Sequence, residues 1–288
     1  MFFDFGSKRR GAIPSPVAGG NTAPDSGTIG GYRLLERIGS GGFAAVYKAV
    51  DPESGRLVAI KVCAVGREGH ARFFREAKLA GGLRHPHIAA VFESGMHGDT
   101  PFMVQELLSG RDLSAMILER QPYELEEKRR ILVAIAEGLD YAHRKGVIHR
   151  DVNPSNVRIL EDGGVKIMDF GIAKTVDSKT GMTRVGATVG TAAYMSPEQL
   201  SGAEIGPHTD VFLLGTLAYE LLGFQPAFRH SSLYRLMELI LHEEPHPLID
   251  IAPSVPDRLA AVVAKAMRKA PEERFASASE FRDALLAS

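Results

Sequence analysis

The sequence lacks the features that identify several classes of protein. Cys63 is the only cysteine among 288 residues, which excludes a disulfide framework and a cysteine zinc site and indicates a reducing compartment. The longest apolar stretches, such as Val211 to Leu222, fall short of the roughly 20 residues that a membrane helix needs. The chain begins with a short apolar patch followed by charges, the wrong order for a secretory signal. We therefore predict a cytoplasmic protein without a membrane span.

Neither sign of charge is in excess. The chain has 34 basic and 35 acidic side chains and a net charge of −1. A surface without a basic field does not favour nucleic acid, so we predict no nucleic-acid partner. Apolar residues make up 44% and charged residues 24%, which is ordinary for a folded chain and excludes wholesale disorder.

Three parts follow one another along the chain. Residues 1–28 are rich in Gly, Pro, Ser and Ala and are predicted to be a flexible tail. Residues 29–108 contain short strand patterns and one helical stretch, Ala71 to Leu83. Residues 109–288 are mostly helical. We predict a strand-rich N-terminal lobe and a helical C-terminal lobe.

A glycine-rich turn, Gly39-Ser40-Gly41-Gly42, joins two predicted strands. Glycines let backbone N–H groups approach a phosphate without a Cβ in the way. The segment after the turn is predicted to be a strand, whereas a dinucleotide site needs a helix there. Taken alone, the turn is as compatible with an ordinary hairpin as with a phosphate site.

Lys61 ends the apolar strand pattern Val58-Ala59-Ile60-Lys61. A lysine that points inward among such residues needs an anionic partner. Glu76, on the helix that follows, is the predicted partner. The alternative is a lysine on a solvated strand face.

Two polar motifs flank a predicted hairpin at Asp162-Gly163-Gly164. His149-Arg150-Asp151 precedes it, with Asn156 five residues after Asp151, and Asp169-Phe170-Gly171 follows it. The hairpin is expected to fold both motifs back to one site. Asn156 and Asp169 offer hard oxygen ligands suited to Mg²⁺, and Asp151 remains to take a proton from a hydroxyl. Either motif alone is compatible with a local turn.

In this order the motifs resemble those of eukaryotic-type (Hanks-type) serine/threonine protein kinases, over about residues 32 to 288. Segments 85–88 and 196–199 resemble bacterial members. The resemblance implies an α+β, bilobed protein-kinase-like fold, with a small antiparallel-sheet N-lobe (residues 29–108) containing one helix and a larger helical C-lobe (residues 109–288). It also implies transfer of the ATP γ-phosphoryl group, with Mg²⁺ or Mn²⁺, to Ser or Thr of a protein substrate.

The resemblance further implies roles for individual residues. Asp151 accepts the proton of the acceptor hydroxyl, and Lys61, held by Glu76, binds the α- and β-phosphates. Asn156 and Asp169 hold the metal. The residues expected around the nucleotide are Ile38, Gly39, Ser40, Gly41, Gly42, Val46, Ala59, Lys61, Glu106, Leu108 and Arg158.

Structural and regulatory roles are implied for a second set. Glu198 is expected to pair with Arg274, and Asp210 to anchor the catalytic loop. Arg150 is expected to require a phosphate on the activation segment, on Thr183 first and then on Thr188, placed there by autophosphorylation. The complete set is Glu76, Arg150, Thr183, Thr188, Thr191, Glu198, Asp210 and Arg274.

Four positions depart from the family pattern. Ala44 replaces the third loop glycine, and Gln105 occupies the gatekeeper position. Arg158 falls where an apolar side chain lies beneath adenine, and its guanidinium is expected to reach water. Asn153, the third residue of the catalytic set, stands where a lysine contacts the γ-phosphate. We expect Asn153→Lys to raise activity or leave it unchanged; a marked loss of kcat would mean that the site has repacked around Asn153.

Two other functions are compatible with the resemblance. One is a catalytically weak or inactive pseudokinase that acts as a regulatory scaffold, and the other is a small-molecule kinase. The presence of Lys61, Asp151 and Asp169 favours an enzyme, and a full activation segment favours a protein substrate. The expected partners are that substrate and either an activating protein or a second copy of the chain.

Overall fold

The computed structural model describes residues 27–41, 44–63, 66–170 and 192–288. Gly42, Thr183, Thr188 and Thr191 lie outside the described residues, and so does the predicted tail up to residue 26. The first strand begins at Thr28 and its Ile29 is only 1% exposed. The structure therefore describes residues 27 and 28, which the sequence assigns to the tail.

The N-terminal part is a six-stranded antiparallel sheet in the order β1-β2-β3-β4-β6-β5. A single helix, α1 (Arg67–Gly81), connects β4 to β5. The alternating pattern of β3 sends Ala45, Tyr47 and Ala49 to one face and leaves Val46 on the other. The strands are β1 (Thr28–Ile29), β2 (Tyr32–Gly41), β3 (Ala44–Val50), β4 (Leu57–Cys63), β5 (Val91–His97) and β6 (Thr100–Glu106).

Helix α1 begins four residues earlier, and ends two residues earlier, than the sequence pattern predicts. Its apolar stripe of Phe73, Ala77 and Ala80 is buried, as the helical spacing predicts. Cys63, at the end of β4, is buried against the same core. Burial raises the pKa of the Cys63 thiol to about 11, so the thiol stays protonated and unreactive at neutral pH.

The C-terminal part is helical around a small three-stranded sheet. This sheet has the order β7-β8-β9 and comprises β7 (Arg111–Asp112), β8 (Val157–Ile159) and β9 (Val165–Ile167). The helices are α2 (Leu113–Leu118), α3 (Leu125–Arg144), α4 (Pro197–Ser201), α5 (Pro207–Gly223), α6 (Leu233–His242), α7 (Leu248–Ile251), α8 (Asp257–Ala266) and α9 (Ala278–Leu286).

Helix α5 is the centre of this part. Its residues are buried from Thr209 to Leu222 except Glu220, which is partly exposed. The helix begins at Pro207 rather than after Asp210, so Asp210 is a residue of its first turn. Among the described residues no helix has both the length and the apolarity to cross a membrane.

The connection between the two parts runs from Glu106 to Arg111, where the sequence predicts a short link. Gly110 has φ +85°, and a Cβ there would lie 2.0 Å from the carbonyl oxygen of Ile159. Only glycine fits such a close approach in this conformation. The link is therefore held tightly against β8.

Candidate active site

Lys61 faces the interior between the two parts of the molecule. Strand register places it beside Val46 on β3 and Met103 on β6, and the residue is 9% exposed. Its Nζ lies 2.8 Å from Oδ1 of Asp169. A buried ammonium needs such a counter-charge, so the anionic partner that the structure gives Lys61 is Asp169.

Glu76, the partner predicted from sequence, lies on α1 with its side chain partly buried. The pairing of Glu76 with Lys61 stays a prediction.

Asp210 fixes the segment that carries Asp151. Its carboxylate is fully buried and accepts the backbone N–H groups of His149 and Arg150, each at 2.8 Å. Nε2 of His143 lies 2.7 Å from the same carboxylate. Three hydrogen bonds satisfy the buried charge, and they tie the catalytic segment to the first turn of α5.

His149 links this segment to the one that carries Asp169. Its Nδ1 accepts the backbone N–H of Asp151 at 3.2 Å, which leaves Nε2 to donate to the carbonyl of Met168 at 2.9 Å. The backbone N–H of Met168 in turn donates to the carbonyl of Asn156 at 2.8 Å. Two hydrogen bonds to Met168 thus hold the residue before Asp169 against the Asp151 segment.

The Asp151 carboxylate is oriented by two side-chain amides. Nδ2 of Asn153 donates to Oδ1 at 3.0 Å, and Nδ2 of Asn156 donates to Oδ2 at 2.9 Å. Both amides also donate to the backbone carbonyl of Asp151. Hydrogen bonds to an ionised carboxylate are stronger than neutral ones, so the carboxylate is held in one orientation.

Asn156 and Asp169 have the chemistry of a divalent-cation site. Both Nδ2 hydrogens of Asn156 are used by Asp151, which leaves its carbonyl oxygen as a ligand. Oδ1 of Asp169 is buried and is paired with the Lys61 ammonium. No group of three or more His, Cys, Asp or Glu side chains in the described parts of the chain is arranged to hold a metal. Mg²⁺ commonly takes only one or two oxygen ligands from a protein and the others from substrate phosphates and water, so a metal role for Asn156 and Asp169 stays a prediction.

Two residues of this site have left-handed backbone conformations. Arg150 has φ 66° and Asp169 has φ 57°, which costs roughly 1–3 kcal/mol at a residue other than glycine. The carbonyl of Arg150 accepts Nε2 of Gln199 at 2.8 Å, and its backbone N–H is held by Asp210. The Nε atom of Arg150 is buried and has no hydrogen-bond partner among the described residues.

Glu198 and Arg274 form a buried pair behind the site. The two Nη atoms donate to the two carboxylate oxygens at 2.8 and 2.9 Å. Burial, the largest single effect, raises the pKa of Glu198, but the hydrogen bonds and the positive charge of Arg274, together with further hydrogen bonds, hold the pKa below its usual value. The pair joins α4 to the segment between α8 and α9.

The link between the two parts is held by two ion pairs from the β8–β9 hairpin. Nη1 of Arg158 lies 2.6 Å from Oδ1 of Asp112, and Nζ of Lys166 lies 3.0 Å from Oε2 of Glu106. Arg158 and Lys166 are direct cross-strand neighbours on one face, so each cation needs its own acid. The Arg158 side chain is 27% exposed, so its contact with water stays a prediction beside the ion pair with Asp112.

The other residues predicted around the nucleotide lie on or next to the sheet. Ala59 is 4% exposed on β4, whereas Ile38, near the end of β2, is 47% exposed. Gly39 pairs with Val46 across β2 and β3, and the backbone of Ser40 and Gly41 continues β2. Leu108 lies in the link, after Glu106, whose backbone N–H donates to the carbonyl of Ala90. Gly39, Val46 and Lys61 are successive cross-strand neighbours, and Ala59, two residues before Lys61, lies on the same face of β4.

Sequence reasoning missed four residues that support the site: Asp112, His143, Lys166 and Gln199. Each of them contacts a residue that the sequence predicts at the site. His143 has a detectable signal, because it follows the apolar helical spacing of α3 and lies six residues before His149. The partners of the other three depend on tertiary contacts.

Comparison with known proteins identifies the family. The protein kinase domain family matches residues 32–285. The chain belongs to the protein kinase family. It is 39% identical over 262 residues to Probable serine/threonine-protein kinase CE0033 of Corynebacterium efficiens, covering 86% of this chain and 40% of that protein. It is 35% identical over 271 residues to Serine/threonine-protein kinase PknF of Mycobacterium tuberculosis, covering 91% of this chain and 57% of that protein.

A solved kinase structure supports the same fold. The crystal structure of Rad53 residues 1–466 in complex with AMP-PNP has a TM-score of 0.74 and 25% identity, covering 88% of this chain and 64% of that one. The predicted α+β, bilobed protein-kinase-like fold is confirmed. The chain spans about two fifths of the length of CE0033 and just over half of PknF.

Proposed function

We propose that this chain transfers the γ-phosphoryl group of ATP to Ser and Thr hydroxyls of protein substrates. The observation that carries the proposal is the bonded network that joins Lys61, Asp151, Asn156 and Asp169. Relatives named as serine/threonine-protein kinases support the hydroxyl class. The AMP-PNP in the Rad53 structure supports a nucleotide between sheet and helices.

In this proposal each residue has one task. Lys61 leaves its ion pair with Asp169 partly or wholly to bind the α- and β-phosphates. Asp151, oriented by two amides, aligns the acceptor hydroxyl and takes its proton. Asn156 and Asp169 hold Mg²⁺, which neutralises charge on the phosphoryl group when it is bound. Gly39, Ser40 and Gly41 cover the phosphates with their backbone.

The regulatory part of the proposal rests on Arg150. Within the part of the chain that the structure describes, its buried Nε has no hydrogen-bond partner, and a phosphothreonine carries about −1.5 to −2 charges with strong acceptor oxygens. We propose that phosphorylation of Thr183, or else of Thr188, supplies that anion. Thr191 is proposed to contact Asp151. These threonines lie outside the described residues.

The setting of the activity is also a proposal. The substrate is a protein, and activation comes from a partner protein or a second copy of the chain. A cytoplasmic location is supported by the single, buried and unreactive Cys63 thiol.

The test is incubation of the purified chain with γ-labelled ATP and Mg²⁺, beside a Lys61→Met variant. We expect label on serine and threonine after acid hydrolysis in the wild type, and none above background in the variant. The stabilisation of the fold by Mg·ATP should also be weaker in the variant. Labelling that is equal in both proteins would contradict the role of Lys61, and no labelling in either would favour a scaffold.

A further inference from the structure

Asn153 stands at the position where the family resemblance places a phosphate-binding lysine, yet its side chain is already fully used. The residue is 6% exposed. Its Nδ2 donates to Oδ1 and to the backbone carbonyl of Asp151, both at 3.0 Å. Its Oδ1 accepts the backbone N–H of Ser155 at 3.0 Å and the hydroxyl of Ser155 at 2.6 Å. An asparagine amide has two donors and an acceptor oxygen with two lone pairs, so none remains for a phosphate.

The orientation of this amide follows from its partners. A backbone N–H can only donate, so the atom that faces Ser155 N must be the oxygen. The nitrogen then faces Asp151, whose carboxylate can only accept when it is ionised. The partners on the two sides of the amide therefore determine that the Asn153 nitrogen is the donor to Asp151.

Asn153 also connects two other functional groups. It is the N-cap of the 3₁₀ turn formed by Pro154–Asn156, and this turn carries Asn156. Asn156 donates to the other carboxylate oxygen of Asp151, Oδ2. One buried side chain thus sets the orientation of the proton acceptor and the position of a metal ligand.

We propose that Asn153 is a positioning residue that orients the Asp151 carboxylate, and that it does not bind the γ-phosphate. This inference rests on the proposed phosphoryl transfer. Losing a hydrogen bond to a charged group lowers a rate by about ten- to a hundredfold. We expect that loss in kcat, with nucleotide affinity unchanged.

The test uses Asn153→Ser, because serine is also a good N-cap but is too short to reach Asp151. We expect kcat to fall about ten- to a hundredfold, while the dissociation constant of Mg·ATP, measured by calorimetry, stays within about twofold. Asn153→Lys should show at least the same loss of kcat, because it also removes the cap. This reverses the expectation drawn from the family resemblance alone.

Ser277→Ala is the matched control for loss of a cap. Ser277 is the N-cap of α9, and its hydroxyl accepts the backbone N–H of Glu280 at 3.2 Å, away from the site. The thermal stability of Ser277→Ala should fall as in Asn153→Lys, with kcat unchanged. If Asn153→Ser keeps the wild-type kcat, Asn153 does not position Asp151. If its affinity for Mg·ATP falls while kcat holds, Asn153 is a phosphate ligand.

The proposed function and this inference fail in different ways. A wild-type chain that binds Mg·ATP without transferring phosphate overturns both. A wild-type chain that transfers phosphate, together with an equally active Asn153→Ser variant, overturns only the positioning role.

Discussion

Replacing Arg274 by methionine removes the guanidinium that neutralises Glu198 in the protein interior. The side chain of Arg274 is 0% exposed and that of Glu198 is 3% exposed. The backbone carbonyls of Arg268, His208 and Lys269 lose their donor as well. Removing one partner of a buried ion pair costs about 3–5 kcal/mol of the free energy of unfolding. At about 2–4 °C per kcal/mol, the melting temperature should fall by about 6–20 °C.

The assay is calorimetric unfolding at neutral pH, with Arg235→Met as the control. Arg235 also pairs with a glutamate, Glu243, at 2.5 Å, but both side chains are 47% exposed. That exposed pair should contribute less than about 1 kcal/mol. Adding Glu198→Gln to Arg274→Met should recover part of the loss by removing the unpaired charge. An Arg274→Met variant as stable as the Arg235→Met control would refute the reasoning.

The cost of Arg274→Met should also depend on pH. Burial is the largest effect on the folded-state pKa of Glu198 and raises it, but the hydrogen bonds and charge of Arg274, with further hydrogen bonds, bring it below its usual value. The stability that this provides is complete above the unfolded-state pKa and is lost as pH falls through the folded-state pKa. The gap between wild type and Arg274→Met should therefore narrow as pH falls below about 4.3, the usual pKa of a glutamate in an unfolded chain.

Two further predictions concern the nucleotide and the regulatory phosphate. Arg158→Leu removes the partner of Asp112 and places an apolar side chain beneath the adenine. Calorimetry should then show about fourfold tighter binding of Mg·ATP, which is the free energy of burying one methylene group. Unchanged or weaker binding would mean that residue 158 does not lie beneath the base. Thr183→Ala should lower activity and remove the main phosphopeptide found by mass spectrometry after incubation with Mg·ATP, because Arg150 then lacks its anion. Phosphate confined to the N-terminal tail, with full activity in Thr183→Ala, would leave Arg150 with a structural role.

The sequence predicts most of the fold because local patterns and tertiary packing agree. Helix α3 and the α1 stripe of Phe73, Ala77 and Ala80 follow from periodicity. The short helix α2 (Leu113–Leu118) is not predicted, because six residues are too few to show a helical period. Strand β1 is likewise missed, because the burial of Ile29 depends on residues far along the chain.

Sequence order also brings the polar motifs to one site, but it does not give their pairing. The apolar pattern around Lys61 predicts an acidic side chain near it. In the structure Asp169, which is 108 residues later in the sequence, lies next to Lys61. Family analogy treats Asn153 as a lost lysine, whereas its hydrogen bonds make it part of the catalytic segment. Such pairings depend on geometry between segments, which spacing does not determine.

The central claim is that Asp151 is the proton acceptor of a phosphoryl transfer. The most direct measurement compares initial rates of phosphate transfer in wild type and Asp151→Asn at saturating Mg·ATP, with nucleotide binding followed in the same samples. Asparagine is isosteric and removes no core packing, so we expect a folded variant that still binds Mg·ATP but whose rate is lower by at least about a hundredfold. A rate within about tenfold of wild type would contradict the account.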